Sequence, residues 1–248
     1  MKIAVFGASG RMGTEVCHAV DQAEGLELVA RVDIGLPREA ALGADVVVDF
    51  THPDAVMDNL AWCVEHGIGA VVGTTGFTPA RLDQVRSWLA GAPGVGVLVA
   101  PNFSIGAVLM MHFSQIAAPH FESVEIIEAH HPGKADAPSG TAANTARMVA
   151  AARAAAGCPP MPDATSHQVD GARGAEIDSV RVHALRLAGL VAYQEVRLTS
   201  AGETLSVISD ARSRSCYMPG VLQGIAWVPD HPGLTVGLEP VLGITTER

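Results

Sequence analysis

The chain has 248 residues, 48% of them hydrophobic, enough for one large or two small domains with a sizeable core. With 16 Lys and Arg against 26 Asp and Glu the formal net charge is −10, which excludes a broad basic footprint for nucleic acid or an anionic membrane. No apolar run reaches membrane-spanning length before Gly, Pro or charge interrupts it, and Cys17, Cys63, Cys158 and Cys216 lack metal or disulfide-framework spacing, so a reduced cytoplasmic protein without signal peptide is expected.

KIAVFG at 2–7 reads as a first strand, and Val16, Ala19, Val20 and Ala23 recur at helical spacing after Gly13 until Gly25 ends the pattern. LELVARVD and ADVVVDF are the second and third strands. A helix from Pro53 carries Val56, Leu60, Cys63 and Val64 on one face and closes at Gly67, placed for a left-handed cap. GAVVGTT follows as a strand. Thr78 is placed to cap the next helix, with Pro79 in its first turn, Leu82, Val85 and Leu89 on one face and Gly91 past its end; VGVLVAP completes the series. Alternation of this kind predicts an α/β, Rossmann-type parallel sheet built from βαβ units.

Beyond Asn102 the rhythm changes. An apolar helix from about Ser104 to Ala118, the strand SVEIIEAH, an alanine-rich helix from Ser139 to about Ala156, and the strands VRVHALRL, VAYQEVRL and ETLSVISD joined by Ala-Gly turns suggest an α+β second domain. From Tyr217 onward a helical stretch and LTVGLEP are expected to return to the first domain. The division is therefore 1–103, 104–216 and 217–248.

GASGRMG, residues 7–13, directly follows a strand and opens a helix, where backbone N–H groups and the positive helix end bind pyrophosphate. Its glycine spacing departs from the commoner G-x-G-x-x-G, and a tight strand-to-helix turn is the plain alternative. Asp33 ends the second strand about 20 residues on, where an acid accepts from the adenosine ribose. GTTG at 73–76 and APNF at 100–103 end strands whose C-termini line the ligand crevice of an open α/β sheet, although ordinary turn chemistry also suits them.

The densest chemistry lies in IIEAHHPGKADAPSGTA, residues 126–142. His130 and Lys134 are candidate proton donors, Ser139 caps the following helix, and Gly140 and Thr141 lie in its first turn, where unpaired N–H groups favour a carboxylate. A solvated loop with a helix cap is one rival. A metal site from Glu128, His130, His131 and Asp136 is another, but adjacent histidines usually diverge and Lys134 opposes a cation, so no metal is expected. His112, His120, His167 and His183 have no partners gathered around them and are read as structural or solvated.

GASGRMG, Asp33, DFTHP, VVGTTGF, APNFSIG and above all EAHHPGKADAPSGTA, in this order and spacing, resemble the 4-hydroxy-tetrahydrodipicolinate reductase family of bacterial lysine and diaminopimelate biosynthesis over nearly the whole chain. The resemblance implies a Rossmann-type nucleotide domain completed by the C-terminal segment, an open mixed-sheet domain for substrate binding and homotetramer assembly, and NADH or NADPH as hydride donor to a small dicarboxylate. It implies His130 as acid/base residue, Lys134 as proton donor, and His131, Gly140 and Thr141 as substrate contacts. Around the cofactor it implies Gly7, Ala8, Ser9, Gly10, Arg11, Met12, Gly73, Thr74, Thr75, Ala100, Pro101, Asn102 and Phe103, with Asp33 at the ribose. Asp33 followed by Ile34, rather than an arginine, predicts NADH preference, tempered by Arg11 and by the family's tolerance of both cofactors. Two other classes remain open. One is a noncatalytic dinucleotide sensor; the other is a dehydrogenase of the cysteine-dependent aldehyde type, although Cys17 and Cys63 fall within helices and Cys158 in a proline-rich loop.

Overall fold

The structure is a computed structural model that describes residues 1–244, so residues 245–248 of the C-terminal segment lie outside the described residues. The chain forms two compact units, one from Met1–Ile105 together with the chain from Arg214 onward, the other from Gly106–Ser213.

In the first unit β1 (Lys2–Phe6), β2 (Glu27–Val32), β3 (Val46–Asp49), β4 (Gly69–Val72), β5 (Gly96–Val99) and β11 (Gly233–Val236) form one sheet in the order β11-β5-β4-β3-β1-β2. Every pairing is parallel. Strands β3, β4 and β5 are buried at every position, the pattern of a parallel sheet covered on both faces. Ala70, Val72, Val97 and Val99 pack against Val56, Leu60, Val85 and Leu89 of α2 (Val56–Glu65) and α3 (Pro79–Ala90). On the opposite face, Gly224 of α6 (Met218–Trp227) approaches Leu98 and Val71, and α6 also packs on α1 (Arg11–Gln22). Each fully buried Val or Leu contributes roughly 1.5–3 kcal/mol by leaving water.

Helix α3 is capped as its sequence dictates: the Thr78 side chain accepts from Arg81 N at 3.3 Å and Pro79 occupies the first helical position. Gly67 takes the left-handed conformation at φ +69°, whereas Gly91, at φ −87°, does not. Two starts differ from the pattern. Helix α1 begins at Arg11, two residues before Gly13, and α2 at Val56, because residues after Pro53 form a turn before the apolar stripe engages the sheet.

The second unit contains α4 (Ile105–Ala117), β6 (Ser123–His130), α5 (Gly140–Ala155), β7 (Ala175–Ile177), β8 (Val180–Arg186), β9 (Ala192–Ser200) and β10 (Glu203–Ala211). Its open mixed sheet has the order β10-β9-β6-β8-β7; only the β6–β8 pairing is parallel. Strand β7 had no counterpart in the sequence pattern, since AEI is short and two of its three positions are exposed. Of the two Ala-Gly turns, Ala201–Gly202 makes the β9–β10 hairpin, with Gly202 at φ +81°. Ala188–Gly189 instead lies on a connection that passes β6, which sits between β8 and β9.

Helix α5 packs on the face carrying Val124, Ile126, Val182 and Val196, and Gln194 donates to Thr145 of α5 at 2.8 Å. Side chains alternate along a strand, so Ile127, His183, Leu185, Glu195 and Ile208 point to the other face, where Leu185 and Ile208 are exposed. On that face His183 is not isolated: its Nε2 lies 2.7 Å from Glu125, which also pairs with Arg173, so the expectation of a partnerless histidine is corrected. The alternating strand around position 183 gave no hint, because Glu125 and Arg173 arrive from other segments of the chain. Burial works to raise the Glu125 pKa, but hydrogen bonds from Arg173 and His183 leave it below the ordinary carboxylate range.

Candidate active site

In the first unit the glycine turn is built by close backbone packing. Gly7 adopts φ +76°, and its N–H donates to Val32 O at 2.9 Å; a side chain on Gly13 would place its Cβ 2.0 Å from Gly7 O, so only glycine lets α1 approach the turn this closely. Gly10 caps α1 without a side-chain hydrogen bond, and the first turn carries no acid. The first N–H groups of α1 therefore face the end of the sheet without a side-chain acceptor from the cap, an arrangement that fits an anionic phosphate. Ala8, Ser9, Arg11 and Met12 lie in or beside this turn, Arg11 at the exposed first position of α1.

Asp33 follows β2 directly. One carboxylate oxygen accepts from Ser9 N at 2.6 Å and the other from Ile34 N at 2.8 Å; the Ile34 and Ser9 amides hold its carboxyl below the ordinary range. Each oxygen retains acceptor capacity, so the group joins the glycine turn and still suits ribose hydroxyls. The chain runs outward from β1 to β2 and then crosses to β3 on its other side, which makes the C-terminal edge of β1 and β3 the topological switch point. Gly73, Thr74 and Thr75 end β4 on the same edge, and Ala100, Pro101, Asn102 and Phe103 follow β5. A Cβ on Gly73 would strike the Phe50 ring at 2.0 Å, and Phe50 in turn packs at 5.8 Å from the Phe103 ring.

Asp49, which the sequence pattern offered only as part of DFTHP, braces this edge of the sheet. It is 1% exposed at the end of β3, and its carboxylate accepts from Thr51 N, Thr51 Oγ1 and Thr74 Oγ1 at 2.7–2.9 Å and from Asn59 Nδ2 at 2.8 Å. One buried anion thus fixes the β3 turn, α2 and the end of β4. Its acid could have been noticed because it terminates an otherwise all-valine strand.

In the second unit the loop between β6 and α5 gathers the acid/base residues. His130 Nδ1 lies 2.6 Å from Glu128 Oε2, and Glu128 is fully buried. The same carboxylate accepts from Arg186 through both terminal nitrogens, at 3.0 and 3.1 Å, and from Ser139 N at 3.1 Å. Burial pushes the His130 pKa below its ordinary value; Glu128 opposes this, while Lys134 and Arg186 reinforce it. Lys134 Nζ pairs with Asp136 at 2.7 Å, and this ammonium holds the Asp136 carboxyl below its usual range, with help from the backbone N–H groups of Asp136 and Gly140. Ser139 caps α5 by accepting from Ala142 N at 3.2 Å. Gly140 is exposed with open space where a Cβ would project, Thr141 is half-buried in the first turn, and His131 lies beside Gly133.

The loop therefore brings His130, Lys134, Gly140 and Thr141 to one end of α5. The four acids and histidines considered as metal ligands do not converge: Glu128 is committed to Arg186 and His130, and Asp136 to Lys134. Among the described residues no cluster of three or more ligands could hold a metal ion. Arg186 had no signal within its own strand; it becomes visible through register, because β8 places it directly across from His130.

A strand–glycine-turn–helix with an acid at the end of the second strand, accompanied by a separate mixed-sheet unit carrying a histidine-lysine loop, defines an NAD(P)H-dependent oxidoreductase. Family models described as "Dihydrodipicolinate reductase, N-terminus" and "Dihydrodipicolinate reductase, C-terminus" match residues 1–103 and 106–242. A Thermobifida fusca protein is 61% identical over 245 residues, covering 98% of this chain and 100% of the relative; one from Cutibacterium acnes is 59% identical over 244 residues, covering 98% and 99%. Both are named 4-hydroxy-tetrahydrodipicolinate reductase. The solved structure of a dipicolinate-bound dihydrodipicolinate reductase from Paenisporosarcina sp. TG-14 is 36% identical, with a TM-score of 0.84 over 97% of this chain and 98% of that one. The chain belongs to the dihydrodipicolinate reductase family.

Proposed function

We propose that the chain reduces 4-hydroxy-tetrahydrodipicolinate, through its dehydrated form, to tetrahydrodipicolinate in lysine and diaminopimelate biosynthesis. The observation that carries this reading is the placement of His130 and Lys134 beside the first turn of α5, where Gly140 is exposed with open space for a ligand. Loss of water from the hydroxylated ring leaves a carbon–carbon double bond conjugated with the imine. The nicotinamide cofactor, when bound, supplies hydride to C4, and the electron pair moves to C3. Lys134 delivers the proton that C3 requires, with His130 as its acid/base partner, a role worth about 10²- to 10⁴-fold in rate. A ring carboxylate takes the place of Asp136 at the first turn of α5, against Gly140 and Thr141, with His131 beside them.

In this reading residues 1–103 with the segment from 217 bind the dinucleotide, and 104–216 bind substrate and form a homotetramer through the sheet face opposite α5. The Asp33 carboxylate accepts from the 2′-hydroxyl of NADH and repels the 2′-phosphate of NADPH, giving NADH preference with measurable NADPH use. A cytoplasmic location accords with the chemistry, and among the described residues no helix is long and apolar enough to cross a membrane. Oxidation of NADH, coupled to enzymatic synthesis of the unstable hydroxylated ring, tests the activity. Ring-dependent loss of nicotinamide absorbance is expected; binding of NADH without turnover would favour a sensor, and loss of turnover on thiol alkylation would favour cysteine chemistry.

A further inference from the structure

Glu128 makes more contacts than a buried structural acid on a helix-facing strand requires. It is 0% exposed, and both its oxygens are committed: one to Ser139 N and an Arg186 nitrogen, the other to His130 Nδ1 and the second Arg186 nitrogen. Four donors converge on one carboxylate, the acceptor-only form. Such an acceptor requires the imidazole to carry hydrogen on Nδ1, which leaves Nε2 as the atom available to a reacting group. Arg186 is itself fixed, since it also donates to Leu185 O at 2.6 Å and to Asp136 O at 2.5 Å, and β6 and β8 place it beside His130 in register.

We propose that Glu128 and Arg186 are positioning residues that lock His130 in the Nδ1–H tautomer, present its Nε2 for proton transfer, and tie that ring to the carboxylate-holding end of α5 through Ser139 N. The inference rests on the proposed acid/base role of His130. The charged groups around the ring are Glu128 on its own strand, Arg186 from β8, Lys134 from the loop and, behind Lys134, Asp136; its neighbour Ala192 on β9 adds no charge. Glu128 raises the basicity of His130 and Arg186 lowers it, so removing one or the other moves its titration in opposite directions.

The test combines kinetics with ¹⁵N-histidine NMR on the full chain. Wild-type His130 is expected as the Nδ1–H tautomer. In Glu128→Gln an amide N–H replaces the acceptor and turns the ring to Nε2–H, so kcat should fall about 100-fold or more, KM for the ring substrate should change little, and the acid limb should move to lower pH. Arg186→Met should move the acid limb to higher pH, which keeps the proposal testable if Glu128→Gln does not fold. A wild-type Nε2–H tautomer, an unmoved acid limb in Arg186→Met, or near-wild-type kcat in folded Glu128→Gln would overturn it. Wild-type turnover in His130→Gln would instead defeat the acid/base reading itself, and leaves the tautomer measurement as a separate result.

Discussion

Lys134 stands 2.7 Å from Asp136 on the loop that follows His130, and the glycine turn belongs to the other unit. Lys134→Ala should therefore fold and bind NADH, measured by cofactor fluorescence, while kcat drops by about 10²-fold or more. Retained turnover would remove it as the proton donor. At the other unit, Asp33 is partly exposed, and in the proposed reading its contact with ribose or phosphate is worth about 1 kcal/mol, so discrimination for NADH should be about tenfold. Asp33→Ala should narrow or invert that ratio of kcat/KM values. Arg11→Ala should harm NADPH use more than NADH use; equal loss would assign the side chain to the shared pyrophosphate or to the geometry of the turn. The Asp33 variant carries a second cost, because its carboxylate also holds Ser9 N.

Helix α5 owes its attachment at one end to Ser139 and at the other to Arg153, a buried guanidinium with backbone partners only. It donates to Ala118 O at 3.0 Å, Glu122 O at 3.3 Å and Pro159 O at 3.2 Å, and also to Phe121 O. Arg153→Met retains the length and apolar stem but leaves those carbonyls without a donor, so urea unfolding should report a loss of about 3 kcal/mol with little change in NADH affinity. An unchanged midpoint would mean that water replaces the guanidinium at no cost. This clamp also marks the limit of what the sequence discloses. Local signals were legible: Thr78-Pro79 announced α3, SVEIIEAH matched β6, and the loop after it announced the candidate site. Arg153 reads as one more basic residue in an alanine-rich helix, and Arg186 as one polar position of an alternating strand. Their partners lie 31 to 58 residues away, apart from Pro159 and Leu185, and only the sheet register and helix docking bring them together. Asp49 is intermediate: its place at the end of β3 was legible, while its ties to Asn59 and Thr74 depend on how α2 and β4 return to the strand.

At the scale of the molecule, the sheet face opposite α5 combines exposed Leu185 and Ile208 with the Glu195–Arg197 and Glu125–Arg173 pairs. If copies associate there, Ile208→Glu buries a charge with no partner and should shift sedimentation from tetramer towards smaller species. A variant that remains tetrameric would place assembly on another surface. The order of synthesis follows from the discontinuity of the first unit. Strand β11 closes the edge of β5, yet it is translated after the whole of Gly106–Ser213. At roughly 5–20 residues per second that interval lasts on the order of 5–20 s, during which β5 offers unpaired amides and carbonyls to any passing strand. Chains stopped at Ser213 should accordingly collect in the insoluble fraction, and a soluble, NADH-binding truncation would show that β5 tolerates its open edge. The nascent chain thus has a period of vulnerability set by gene order, in which a ribosome-associated chaperone has the most to protect.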